Sequence, residues 1–290
     1  MKSIAEASRD KRISHDISLS ECKGTVFYCI VQILGELFSP CTLFLYFCIL
    51  KMNKKSRGIV LRTVKYGDNR LIVDLLMRDG GRVTVAVKAG SGAKSRQRRQ
   101  LFQPLSILSM EYRFAPHQQI ATVSEVEIAE VYGSLPFDGI KMSIAFFLAE
   151  FLLSATRDQH TDTNLYDFVE RSLLWLDASE RGVSNFHLMF MMHLTRFLGF
   201  MPDESSWHEG ALFDMREGRF CMSVPLHRDF LNADEASKML TLLRMSAQNM
   251  HLFHMTRAER NRVTDLILQF YHIHQPAFHD LKSLAILREL

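Results

Sequence analysis

The chain has 290 residues, 47% hydrophobic and 23% charged, with a formal net charge of +3. That length suffices for one large hydrophobic core or two ordinary ones, and the balance excludes an intrinsically disordered protein. The modest net charge conceals a division: residues 52–131 hold fourteen Lys/Arg against seven Asp/Glu (+7), residues 132–290 hold fifteen against twenty (−5), and residues 1–51 contribute +1. A basic segment joined to an acidic one suggests a polyanion-binding part and a part with other duties.

Residues 1–51 stand apart. They carry Cys22, Cys29, Cys41 and Cys48, whereas the remaining 239 residues carry only Cys221. No CxxC or paired zinc spacing occurs, so residues 52–290 read as a reduced, cytoplasmic protein without structural disulfides. The apolar stretch 24–50 has Gln32, Glu36 and Pro40 near its middle, where a spanning helix tolerates acids poorly. It also lacks the layout of a cleavable signal peptide. Three readings stay open: a membrane anchor, an amphipathic packing segment, or translation from upstream of the true start. "MNKKSRGIVL" at Met52 has the look of a natural N-terminus, and a membrane role is not expected.

From residue 52 the pattern is that of short strands. Ile59, Leu61 and Val64, then Leu71 to Met77, then Val83, Val85 and Val87 alternate with polar residues. Turn chemistry separates them at Tyr66-Gly67-Asp68-Asn69 and, in hairpin form, at Arg78-Asp79-Gly80-Gly81. "LSILSMEYRF" and "HQQIATVSEVEIAEV" add two more. Five strands in about 80 residues, with no helical pattern between them, predict a small closed barrel of the oligonucleotide-binding (OB) class.

Between the third and fourth strands lies "KAGSGAKSRQRRQ", residues 88–100, read as a flexible basic loop. It is neither a P-loop nor a dinucleotide fingerprint, because GxxxxGK[ST] and GxGxxG are absent. The candidate DNA-binding residues are Arg62, Lys65, Arg70, Arg82 and Lys88 on or beside the strands, with Lys94, Arg96, Arg98 and Arg99 in the loop. Such cations neutralise phosphates irrespective of base sequence. Tyr66, Phe102 and Tyr112 are candidate stacking faces, with burial in the core as the ordinary alternative for each.

Beyond residue 133 the apolar period becomes helical. "PFDGIKMSIAFFLAEFLLSATRD" places Ile140, Ile144, Phe147, Leu148 and Phe151 on one side, with Asp138 as cap. "NLYDFVERSLLWLDAS" and "NFHLMFMMHLTRFLGFMP" follow, the latter stopping at Gly199 before Pro202. "EASKMLTLLRMS", "TRAERNRVTDLILQFYHIH" and "FHDLKSLAILREL" continue the helices, and "ALFDMREGRFCMSV" reads as a hairpin turning at Glu217-Gly218. Met189 to Met192 read as bundle core. The paired histidines (His187 and His193, His251 and His254, His272 and His274) lack ligand partners in an HExxH-like pattern. No GxSxG, Cys/His or paired-carboxylate signature points to catalysis.

The order of these segments resembles the bacterial RecO recombination mediators. "GIVLRTVKYGDNRLIVDLLMRDGGRVTVAVKAG", "KSRQRRQLFQPLSILSMEY", "HLTRFLGFMP" and "YHIHQPAFHDLKSLAILREL" carry the resemblance, which spans residues 52–290 and leaves 1–51 unmatched. It implies an OB barrel (residues 52–132) followed by an all-α domain with a small hairpin insertion (residues 133–290). It implies a non-enzymatic protein of the bacterial cytoplasm and nucleoid. Its activities would be binding single- and double-stranded DNA, annealing complementary strands, and helping to load recombinase. RecR and the acidic C-terminal tail of single-stranded DNA-binding protein are the implied partners. Arg196, Arg257, Arg260 and Lys282 are candidate cations for that tail. Many family members hold zinc with four cysteines after the LGF-type helix end, but "DESSWHEGALFDMREGRFCMS" keeps only Cys221. No metal or cofactor is therefore expected, and packing must hold the hairpin. Two other readings stay open: a helical interaction module whose barrel is only a protein-docking platform, and a membrane-tethered factor using residues 24–50.

Overall fold

The computed structural model describes residues 54–90, 92–113, 119–157 and 161–289, with the backbone alone for 93–95. Residues 1–51, with every reading of them above, lie outside the described residues.

The strands are β1 (Lys54–Tyr66), β2 (Arg70–Met77), β3 (Gly81–Lys88), β4 (Ile107–Arg113) and β5 (Ala121–Ile128). They close into a barrel in the order β1-β2-β3-β5-β4, antiparallel throughout except for β3 against β5. The closed five-stranded barrel is the class anticipated from the number and spacing of strands; the order comes from the structure. The β2–β3 hairpin turns where expected, and Gly81 takes φ +62°, a conformation glycine adopts without penalty. Alternation sends Leu71, Val73, Leu75 and Met77 of β2 and Val83, Val85 and Val87 of β3 inward to meet Met110 and Tyr112.

The stretch read as a flexible loop is in fact largely helical: α1 spans Ala93–Leu101. Lys, Arg and Gln favour helix, and Arg98 and Arg99 lie in its last turn, where cations complement the helix dipole. The single buried anchor is Phe102, at the C-cap, in the barrel core. A nine-residue helix carrying its anchor at one end leaves no apolar stripe to read from sequence.

The helical part comprises α2 (Gly139–Ala155), α3 (Thr163–Ala178), α4 (Phe186–Leu198), α5 (Ala233–Arg244), α6 (Arg257–His274) and α7 (Leu284–Leu287). Asp138 caps α2 by accepting from the N–H groups of Ile140 and Lys141, and Gly199 (φ +84°) ends α4. Thr256 and Glu259 form a reciprocal capping box on α6. Met189 to Met192 are all buried, as is Ile144; Ile140, expected on the same side, is exposed at the first turn. The expected hairpin, β6 (Leu212–Asp214) with β7 (Arg219–Cys221), gains a third strand, β8 (Phe230–Leu231). Phe213 packs 5.0 Å from Phe220 and 5.8 Å from Phe270, tying this sheet to α6 through apolar rings.

Barrel and helices share one buried cluster. Ile59, Leu61, Leu76, Leu105 and Ile107 turn outward from the barrel and join Phe147, Phe151 and Phe190 of the helices. At about 1.5–3 kcal/mol per fully buried side chain, these five dominate the docking. Polar links fix its orientation. Arg57 lies 2.7 Å from both Glu130 and Glu170, Arg78 lies 3.0 Å from Asp167, and Arg82 Nη1 donates to the Leu153 carbonyl at 2.5 Å. The connecting chain is pinned by the Asp177 carboxylate, which accepts from the N–H groups of Gly133, Ser134 and Leu135 at 2.7–2.9 Å. Lys141, only 4% exposed, donates to the Ser134 hydroxyl at 2.6 Å and the Asp177 carbonyl at 2.8 Å.

Candidate nucleic-acid interface

Strand register sorts the barrel's basic residues by face. On β2 and β3 the residues between the core positions point outward: Arg70, Ile72 and Asp74 on one, Arg82, Thr84, Ala86 and Lys88 on the other. Cross-strand pairing aligns them with Arg62, Val64 and Tyr66 of β1. The outer surface of β1–β3 is therefore layered. Tyr66, Arg70 and Lys88 form one row, Val64, Ile72 and Ala86 the next, and Arg62, Asp74 and Thr84 a third. Neighbouring strands lie about 4.8 Å apart and successive rows about 6.8 Å apart, so the surface suits an extended strand.

Arg70 and Lys88 sit directly opposite each other and both are exposed. Like charges in that position destabilise a sheet, a cost that a bound polyanion would offset. Tyr66 is 64% exposed beside Arg70, offering a ring face next to a cation. The other two stacking candidates, Phe102 and Tyr112, are each 1% exposed and belong to the barrel core. Sequence treats the three aromatics alike, but only register separates them.

The nine predicted cations do not share one surface. Lys65 is exposed on the other face of β1, opposite Leu71. Arg62 is tied to Asp74, with Nε donating at 2.8 Å, while Thr84 donates to the same carboxylate at 2.7 Å. Arg82 is half-buried and reaches α2. Arg96 is exposed and Arg99 half-buried on α1. Arg98 lines a pocket of about 500 Å³ that also involves Glu111, Glu125 and Glu127 of β4 and β5. The Lys94 side chain lies outside the described residues. Charge on the barrel is thus segregated, basic over β1–β3 and largely acidic over β4–β5, a polarity that orients an approaching polyanion.

The four helical-domain candidates are dispersed as well. Arg257 is bound to Glu289 at 2.7 Å, and Arg260 donates to the Met255 carbonyl at 2.8 Å. Lys282 stands at the cleft beside the barrel. Arg196 borders a pocket of about 720 Å³ between α3 and α4, lined by Phe168, Trp175, Phe197 and Arg171. Those aromatics were not singled out from sequence, because their spacing matches ordinary core positions.

Two of the paired histidines meet backbone carbonyls. His193 Nε2 lies 2.7 Å from the Met245 carbonyl and His274 Nε2 lies 2.9 Å from the Met215 carbonyl. Burial, aided by the Arg260 charge, pushes the His187 imidazole down to about 3. Among the described residues no group of three or more His, Cys, Asp or Glu is placed to hold a metal, and Cys221 is a half-buried free thiol. No described helix is long and apolar enough to cross a membrane.

The family model for the N-terminal part of recombination protein O matches residues 52–132, and that for its C-terminal part matches residues 136–285. A DNA repair protein RecO of Phocaeicola vulgatus is 41% identical over 239 residues, covering 82% of this chain and 99% of the relative. Relatives of the same name from Bacteroides fragilis (38% over 240 residues) and Flavobacterium psychrophilum (33% over 246) have the same coverage. A closed OB barrel joined to a helical part, matched over both portions by these models and over nearly the full length of these relatives, belongs to the RecO family of DNA repair proteins.

Proposed function

We propose that the chain is a non-enzymatic mediator that binds single- and double-stranded DNA, anneals complementary strands and assists recombinase loading in the bacterial cytoplasm and nucleoid. Residues 52–132 act as the DNA-binding unit and residues 133–290 as the partner-binding unit. The observation that carries this reading is the exposed row Tyr66–Arg70–Lys88, which sets a stacking face and two opposed cations on the barrel's outer surface. Annealing follows physically: a surface that neutralises phosphate without reading bases lowers the repulsion between two strands and leaves their pairing edges accessible. Arg62 and Arg82 extend this surface, Lys65 stands on the opposite face of β1, and Arg96, Arg98 and Arg99 are further candidates carried on α1.

Partner capture is assigned to the helical part. The pocket bordered by Arg171 and Arg196 and walled by Phe168, Trp175 and Phe197 suits an acidic peptide with apolar side chains. That is the chemistry of the single-stranded DNA-binding protein tail, and RecR is the second partner that the family resemblance implies. Arg257, Arg260 and Lys282 lie on other surfaces and are weaker candidates for the tail.

Annealing of complementary oligonucleotides tests the central claim. The chain is expected to accelerate annealing, and Arg70→Glu/Lys88→Glu to abolish most of that acceleration while retaining a native melting transition. Undiminished annealing by the double variant overturns the assignment. The helical-module alternative predicts partner capture without any DNA affinity, so a gel shift separates the two.

A further inference from the structure

The barrel's basic surface does not stop at the barrel. On β3, Arg82 lies six residues from Lys88 on the same face, about 20 Å along the strand. It opens there into a cleft of about 780 Å³ between the barrel and α2. Arg62 and Arg82 come from the barrel wall, Phe146 from α2, Arg157 from the turn just beyond its C-terminus, and His279 and Lys282 from the segment after α6. Two of the three carboxylates near this cleft are already engaged. Asp74 is held by Arg62 and Thr84. Burial opposes ionisation of Glu150, yet the Ser283 hydroxyl and the N–H groups of Ser283 and Lys282 outweigh it and keep the carboxyl below its usual range. Asp280, at the cleft's rim, is fully exposed and lies 3.6 Å from His272 Nε2.

Two further features point to a ligand that is flat as well as anionic. Phe146 is 47% exposed between buried Ala145 and Phe147, so its ring stands at the cleft rather than in the core. Arg157 is exposed and its Nη1 lies 2.8 Å from His279 Nε2. Cations on both walls with an open aromatic ring between them are the elements of an unpaired-strand site.

We propose that a single strand leaving the Tyr66–Arg70–Lys88 row continues past Arg82 into this cleft, where Arg157 and Lys282 neutralise phosphate and Phe146 stacks on a base. This rests on the barrel reading above and extends it: the helical part becomes a second half of the nucleic-acid site. OB barrels occlude about 4–16 nucleotides, so a track crossing onto the helices sits toward the longer end of that range.

The test is fluorescence titration of the full chain with oligo(dT), read as occluded site size and as salt dependence of affinity. Arg157→Glu/Lys282→Glu is expected to shorten the site by several nucleotides and to reduce the log–log salt slope by about 1.4, at about 0.7 per phosphate contact on single strands. Phe146→Ala carries no charge change and is expected to weaken binding at least about fivefold with an unaltered slope. All three residues are exposed or half-exposed, so melting curves should match the parent. Unchanged site size and slope in the double variant overturn the proposal. So does retained oligo(dT) binding with lost capture of a fluorescent poly-Glu peptide, which would assign the cleft to an acidic protein segment. Arg70→Glu/Lys88→Glu is run alongside: if only the cleft variant loses oligo(dT), the barrel reading fails and the cleft stands.

Discussion

Salt dependence gives the sharpest measure of the barrel surface, because each neutralised phosphate leaves its mark on the slope. Consider Arg70 and Lys88 replaced together by Ala. Both are exposed on the β1–β3 outer surface, and no buried contact is lost. Single strands release about 0.7 counterion per phosphate contact, so the slope of log K against log salt should fall by about 1.4. Between 50 and 200 mM salt the parent should then lose affinity about 7-fold more than the variant. Anisotropy with a labelled oligo(dT) over that range reads this directly. The companion variant, Arg96→Ala/Arg98→Ala/Arg99→Ala, should flatten the slope less, because Arg98 shares its pocket with Glu111, Glu125 and Glu127. A parallel loss of affinity with no change of slope would mean that the strand pair acts on shape rather than charge. An α1 triple that flattens the slope as much as the strand pair would move the primary site to the helix.

The remaining predictions concern what holds the site in place. Leu76→Ala, at the buried seam between barrel and helices, should destabilise by about 2–5 kcal/mol in urea unfolding, since it opens a cavity between two elements that cannot collapse together. Asp177→Ala should cost about 1–3 kcal/mol by stripping three backbone N–H groups of their acceptor, and a melting temperature equal to the parent's would refute its role as the pin of the connecting chain. His187 is neutral in the folded chain down to about pH 3 but titrates near 6.5 when unfolded. The unfolded state then binds the extra proton, so its contribution to stability is present above pH 6.5 and declines as pH falls toward 3. Between pH 6.5 and 5 that decline is about 2 kcal/mol, and His187→Gln should remove the corresponding slope from a pH series of urea midpoints. Phe213→Ala should loosen the small sheet against α6 and leave oligo(dT) affinity unchanged, as read by proteolysis and anisotropy together.

Much of this protein is legible in its sequence because the determining physics is local. Period-two runs broken by Gly67-Asp68-Asn69 and Asp79-Gly80-Gly81 specify the hairpins, and the +7 charge of residues 52–131 is plain from the chain. Asp138, Thr256 with Glu259, and Gly199 mark helix ends by chemistry that acts within four residues. That Cys221 is the single cysteine of residues 52–290 is likewise plain from the chain.

What the sequence left undecided depends on distance through space. Tyr66, Phe102 and Tyr112 are three aromatics in a basic segment; only barrel closure buries two of them and leaves one beside Arg70. The basic run at 94–99 carries no apolar stripe, so its helix is fixed by docking Phe102 in the core, and that docking sends Arg98 toward three glutamates. Residues as far apart as Arg82, Arg157 and Lys282 meet only because Leu61 and Leu76 seat the barrel against α2. Local pattern chose the strands and most of the helices, and composition set the charge sign. Tertiary packing alone decided which cations share a surface, since electrostatic attraction for a strand depends on their separation and not on their order in the chain.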